Sequence, residues 1–250
     1  MKSMLTHRAC GILLITILIS SIGYSQKNID HQSQLWMRYQ LKLKINNHWS
    51  ASQQLEERTY WIPWRQYQFL SHTMAHYQLS KGWNLGAGLT YYRQALPQDA
   101  HKEVSFTQPG FRPQLEIGYK NQLFQKFNMN QRFGTALRYF KPENGNLQFG
   151  NYRISYKLEL QYQPVQKLNL KAYEEVFVNF GKNIVNNTFD QNRFGGSIQY
   201  MAMKKLGFEL GYINSYQKRA SGTDFYERNI VRFTIHHALD WSSKTSKSPS

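Results

Sequence analysis

From Leu35 onward the chain alternates. Leu35, Met37, Tyr39, Leu41, Leu43 and Ile45 fall on one side of an extended ribbon, and Trp36, Arg38, Gln40, Lys42 and Lys44 on the other. Strand side chains point to opposite faces in turn, so this period of two predicts a strand with one apolar and one charged side. The pattern returns in "NYRISYKLELQY", where Tyr152, Ile154, Tyr156, Leu158, Leu160 and Tyr162 oppose Arg153, Ser155, Lys157, Glu159 and Gln161. It returns again in "KLGFELGYI" and in "RNIVRFTIHHALDW". About eleven such segments can be placed, near residues 35–45, 48–60, 67–80, 83–94, 111–120, 124–140, 149–162, 168–180, 190–202, 206–217 and 226–241. No stretch after residue 25 carries a helical period.

The connections alternate in length. "NNH", "KGW", "NQLF", "PVQK" and "MKK" are short, whereas "ALPQDAHKEVSFTQPG", "KPENGNL", "GKNIVNNT" and "KRASGTDF" are long. An antiparallel meander with short turns at one end and long loops at the other is the pattern of a transmembrane β-barrel. The predicted fold is therefore all-β: a transmembrane antiparallel up-and-down barrel of about 10–12 strands, with short periplasmic turns and longer extracellular loops. Because bacterial single-chain barrels have even strand numbers, twelve is preferred, the missing strand lying in 95–110 or in the N-terminal stretch. Residues 26–34 are then expected to run back through or along the barrel, a span that about nine extended residues can cover. Tryptophan sorts the same way. Trp49, Trp83 and Trp241 fall near the short-turn end, and Trp36, Trp61 and Trp64 near the long-loop end, as two interfacial aromatic belts require.

Composition narrows the setting. Residues 1–25 read as a cleaved signal peptide, with Lys2 and Arg8 ahead of the apolar run "ACGILLITILISSIG" and the exit "GYS". That leaves 26–241 for the barrel domain and 242–250 as a polar tail. The single cysteine, Cys10, falls inside the leader, so neither a disulfide framework nor a thiolate metal site is available to the exported chain. Loss of Lys2 and Arg8 lowers the formal charge from +16 to +14. A basic balance of this size invites nucleic acid. Here, however, cations and aromatics alternate on opposite faces, so one ligand cannot touch both, and export removes the chain from the cytosol. Nucleic acid is excluded on those grounds. Lipids of the outer membrane are the expected partners, with Arg65, Lys141, Lys182, Lys218 and Arg219 as rim candidates for anionic headgroups, together with small anions or an anionic ligand in the lumen.

If the apolar faces meet lipid, the inward charges include Arg38, Glu56, Arg58, Arg112, Glu116, Arg132, Arg138, Arg153, Glu159, Lys171, Glu175, Arg193, Glu209, Arg228 and Arg232. Cations outnumber anions in that set. Rings of Arg or Lys select anions, which points to a small anion-favouring channel. The same residues can instead form ion pairs that fill a small lumen. A barrel of this size lies between the filled interior of eight strands and the open channel of sixteen, so both readings stand.

His72 and His76 are four residues apart. On a strand that separation is roughly 13 Å, too far for one ion, and no metal or cofactor is expected. No Gly-x-Ser-x-Gly occurs, but serines and histidines are present. A lipid-modifying or hydrolytic outer-membrane enzyme therefore remains the rival class.

The stretch "YEEVFVNF" followed by "FDQNRFGGSIQY", with the earlier "LEERTYW" and the Arg-rich "RFGTALRYF" and "NYRISYKLEL", resembles the bacterial outer-membrane family grouped as domain of unknown function 2490. The resemblance covers essentially all of the chain after the leader. It implies an outer-membrane barrel and implies no activity.

Glu174 is the misfit. Glu175 shares its face with Lys171 and Tyr173 and is expected to meet Lys171 or Arg193. Glu174 falls on the apolar face with Ala172, Val176 and Val178. A β-bulge, which re-aims a side chain by one extra residue, is predicted at or near Glu174.

Overall fold

A computed structural model describes residues 27–242. The predicted leader, and the tail beyond Ser242, lie outside the described residues. The described chain is all strand and connection: β1 (Asn28–Lys44), β2 (Trp49–Tyr60), β3 (Arg65–Ser80), β4 (Trp83–Leu96), β5 (Phe106–Phe124), β6 (Phe127–Phe140), β7 (Gln148–Val165), β8 (Leu168–Phe180), β9 (Phe189–Tyr200), β10 (Leu206–Lys218) and β11 (Asp224–Asp240). Each strand pairs antiparallel with its sequence neighbour, and β1 closes the barrel against β11.

The barrel thus has eleven described strands, not twelve, and the odd number forces a parallel seam. Its register runs unbroken from Asn28 opposite Asp224 to Lys44 opposite Asp240. The expected return path for 26–34 is corrected with it, because Asn28–Gln34 form the first turn-distal part of β1. This part escapes the alternation because, apart from Ile29, both of its faces are polar: Gln32 and Gln34 are buried inside, while His31 and Ser33 face out. The other stretch expected to hold a twelfth strand, 95–110, consists of the end of β4, the loop 97–105 and the start of β5.

Five tight connections (45–48, 81–82, 125–126, 166–167 and 201–205) lie at one end, and the loops 61–64, 97–105, 141–147, 181–188 and 219–223 at the other. Register shifts occur at both ends, beside the short turns between β3 and β4, β5 and β6, and β7 and β8, and as bulges at the long-loop end. The pairing of β2 with β3 skips Tyr67, that of β6 with β7 skips Gly150, and that of β8 with β9 skips Asp190. A bulge turns two consecutive residues to one side. Accordingly Tyr67 and Gln68 are both buried, as are Asp190 and Gln191.

The outer face is apolar in bulk. Met37, Leu89, Leu115, Phe133, Leu160, Ile198 and Leu210 are each at least 40% exposed. The inner face carries the charges and the largest buried side chains. Glycine makes room for them in two places. A Cβ on Gly110 would sit 2.4 Å from the Tyr92 ring, and one on Gly195 would sit 2.8 Å from the Tyr173 ring. Tyr173 is buried, so Gly195→Ala should overpack the site and lower stability by about 1–3 kcal/mol. Urea unfolding of the detergent-solubilised chain checks this. A midpoint equal to the parent's would show that the ring is not fixed there.

Candidate functional site

The inward faces build two cavities on the barrel axis. The larger, about 890 Å³, opens among Asn46, Asn47 and His48 at the short-turn end. The smaller, about 220 Å³, lies toward the long loops and includes Gln98 of the 97–105 connection. Arg58, Arg112, Arg153 and Arg193 line both cavities, and so form the waist between them.

Aromatic rings set the waist. The Arg58 guanidinium lies 3.6 Å from the centre of the Trp36 ring, with Arg193 5.4 Å from that same ring. Arg193 and Arg153 flank Phe177 at 4.9 and 5.4 Å, and Arg112 lies over Tyr92 at 4.2 Å. Ring faces attract cations through their quadrupole, more strongly where water is excluded. The stacks hold four flexible side chains in place at the narrowing between the cavities.

Trp36 therefore does not belong to an aromatic belt. It is 2% exposed, in contact with Ile213, Ile230 and Tyr173, and its Nε1 donates to Gln34 Oε1 at 2.9 Å. Alternation had already put it on the charged face of β1, and its position near the strand end was the misleading cue. Trp49, Trp61, Trp64, Trp83 and Trp241 are 43–68% exposed, at the two ends of the barrel.

The large cavity is a network of paired charges. Glu56, fully buried, accepts from Arg38 Nε at 2.5 Å and from Arg58 Nε at 2.6 Å. Arg132 bridges Glu175 at 2.7 Å and Glu116 at 3.6 Å. Lys157 holds Glu159 at 2.6 Å. Glu209 collects Lys171 at 2.6 Å, Arg232 at 3.2 Å and His236 at 3.0 Å. Glu175 is thus held by Arg132 two strands away, not by Lys171 or Arg193 as expected. Lys171 is drawn to Glu209, and Arg193 bonds Gln191 and stacks on Phe177 and Trp36.

The small cavity differs in kind. Arg58, Arg112, Arg138, Arg153, Arg193 and Arg228 line it together with amide side chains, and no carboxylate is among the lining residues. Arg58 and Arg153 have anions just outside it, Glu56 and Asp190. Arg228 is satisfied by amides alone: Gln32 at 2.9 Å, Gln217 at 2.5 Å and Gln98 at 3.3 Å. Among the described residues, Arg112, Arg138, Arg193 and Arg228 have no carboxylate partner in the ion pairs of the barrel.

The loop 97–105 roofs this cavity. The Gln98 carbonyl accepts from Gln32 Nε2 at 3.0 Å, and its side-chain oxygen accepts from Tyr67 at 3.1 Å as well as from Arg228. Arg65 donates to the carbonyls of Pro97, at 2.6 Å, and of Lys102. The rim cation Arg65 is thus a tether for the loop. Gln98→Ala removes the side-chain ties and should widen the long-loop mouth. Measured in planar bilayers, single-channel conductance should rise, and an unchanged value would show that the loop does not limit passage.

Asp190 was not among the expected charges, although it faces inward and pairs with Arg153. The bulge that turns it inward also corrects the expectation at Glu174. Pairing of β8 is regular through Glu174, which sits opposite Leu158 and Phe194. The irregularity falls one strand on, at Asp190. Glu174 keeps its outward position and accepts from Asn192 Nδ2 at 3.0 Å. The available signal was "FDQN", three polar residues in a row where alternation allows no such run.

The two histidines have separate partners. His72 Nδ1 meets Thr90 Oγ1 at 2.7 Å. His76 Nε2 meets Ser52 Oγ at 3.1 Å, and its Nδ1 lies 3.6 Å from Glu116. Ser52, His76 and Glu116 follow the order of a hydrolase triad, but acyl transfer also needs donors aimed at a developing oxyanion. Ser52 sits within a strand paired on both edges, so the ladder occupies the nearby backbone N–H groups. Glu116 is shared with Arg132. The row is better suited to lining the lumen than to nucleophilic attack.

A family model for a protein of unknown function (DUF2490) matches residues 33–226. No curated protein matches the chain. Among solved structures, a NanC porin in a rhombohedral crystal form is similar at a TM-score of 0.50 and 12% identity, over 82% of this chain and 98% of that one. At that identity the likeness concerns the fold alone.

Proposed function

Because the chain belongs to the DUF2490 family, proteins of unknown function, its activity has to be read from its own lumen, and we propose that it is an outer-membrane barrel whose arginine waist admits small anions. The waist carries this reading: four arginines shared by two cavities, the smaller of which has no carboxylate in its lining. An anion passing there exchanges part of its hydration for fixed guanidinium donors, whereas a cation meets repulsion with no counter-charge. In the wider cavity the carboxylates are already held by cations, so they add little attraction for cations.

The outer surface supports the membrane setting. Water-soluble monomers rarely expose contiguous apolar patches beyond a few hundred Å², and here apolar side chains cover the barrel wall. The five outward tryptophans lie at its two ends, where interfacial aromatics are placed in membrane barrels. Residues 1–25 supply the export signal that such a location needs.

Two measurements test the proposal together. Cell fractionation should recover the chain in the outer membrane with heat-modifiable migration. Proteoliposome swelling should be faster with small anionic than with matched cationic solutes. Recovery in the soluble periplasm, or equal swelling rates, would overturn it. Lipid turnover without any swelling would favour the hydrolytic class.

A further inference from the structure

The small cavity has a feature that passage alone does not require. The register that pairs Gly110 with Phe140 and Gln114 with Ala136 sets Arg112 directly opposite Arg138. Arg153 follows on the next strand, facing the same space. Like charges directly opposite one another destabilise a sheet. Arg153 has Asp190; Arg112 and Arg138 have no such partner among the described residues, and their Nε atoms are buried without an acceptor. Buried charge left without a partner is costly, and a third buried, unsatisfied Nε belongs to Arg193 on the far side of the waist.

We infer that the 220 Å³ cavity is a binding site for one small multivalent oxyanion, held between Arg112, Arg138 and Arg193. The inference rests on the reading of the lumen as anion-favouring and names the solute class it retains. Charge and geometry both set that class. Guanidinium forks match carboxylate or phosphoryl oxygens two at a time, so a single chloride leaves most donors unmet. A solute with two or three acidic groups reaches the arginines on opposite walls. The cavity volume suits a molecule the size of a tricarboxylate or a pyrophosphate and excludes long chains. The Gln98 roof closes the long-loop side, so release toward that side needs the 97–105 loop to shift.

The test is calorimetric titration of the full-length, detergent-solubilised chain with citrate, pyrophosphate, orthophosphate and acetate at low salt. Citrate and pyrophosphate are expected to bind saturably at one per chain, each at least tenfold more tightly than acetate. R112Q and R138Q are each expected to weaken that binding tenfold or more, while K167Q, in a turn at the opposite end, changes it less than twofold. Retained heat-modifiable migration shows that each variant is folded, and two separate arginines guard against one failing to fold. A preference for citrate or for pyrophosphate would identify carboxylate or phosphoryl chemistry within the same site. Acetate binding as tightly as citrate, no saturable binding, or equal losses in K167Q would overturn the site. The titration needs no conduction. A chain that binds citrate but passes no anions loses the channel reading and keeps the site; one that passes anions without binding citrate does the reverse.

Discussion

Reversing two waist charges, in the double variant Arg112→Glu and Arg138→Glu, is expected to turn an anion-favouring lumen into a cation-favouring one. Each replacement changes the local charge by two, and neither arginine has a carboxylate to be freed by the change. A unit charge about 8 Å away, in a medium of effective dielectric about 40, contributes about 1 kcal/mol. Four units of change therefore move the anion-to-cation permeability ratio by well over tenfold. The two introduced carboxylates stand opposite each other as the arginines do, so the sheet exchanges one like-charge pair for another, and heat-modifiable migration checks that the variant still forms a barrel. An unaltered permeability ratio would show that the rate-limiting constriction lies elsewhere, with the 97–105 roof as the first alternative.

The second large effect concerns stability. Glu56→Gln is expected to cost about 3–5 kcal/mol, because it leaves Arg38 and Arg58 buried and facing each other without their shared anion. Urea unfolding in lipid or detergent measures the loss. The exposed pair of Lys44 and Asp240, 4.0 Å apart, is the contrast: Asp240→Asn should leave the midpoint where it is, since solvent-exposed pairs contribute little. A cost below about 1 kcal/mol at Glu56 would mean that lumen water screens the arginines as it does at the surface, and the waist would then be softer than its packing indicates.

The two effects share one origin. The lumen separates paired charges, which hold the wall together, from arginines whose field is left for a solute. Glu56 belongs to the first group and Arg112 and Arg138 to the second, with Arg58 at the junction. Trp36 and Phe177 make that separation possible. They hold the guanidinium of Arg193 by stacking, as Tyr92 holds that of Arg112, without a carboxylate to cancel the charge.

Strands were legible in the sequence where one face was apolar, because a period of two is then visible. The same rule hid Asn28–Gln34, where only Ile29 is apolar; eleven segments implied the parallel seam, which the even strand numbers of bacterial barrels argued against. The rule also hid the bulges at Tyr67, Gly150 and Asp190, since a bulge breaks the alternation that the reading depends on. The inward charges followed from the alternation, but their pairing did not. Glu175 meets Arg132 across β7, a contact set by barrel curvature and not by neighbouring strands. The roof of the small cavity depends on a loop, 97–105, whose inward fold rests on Gln98 and Arg65. No local pattern in "PQDAHKEVS" announces it.

Reversal potential in a planar bilayer with a tenfold potassium chloride gradient tests the central claim most directly. The arginine waist predicts a reversal potential displaced toward the chloride equilibrium potential, collapsing toward zero as salt on both sides is raised and the lumen charges are screened. A reversal potential on the potassium side at low salt would contradict it.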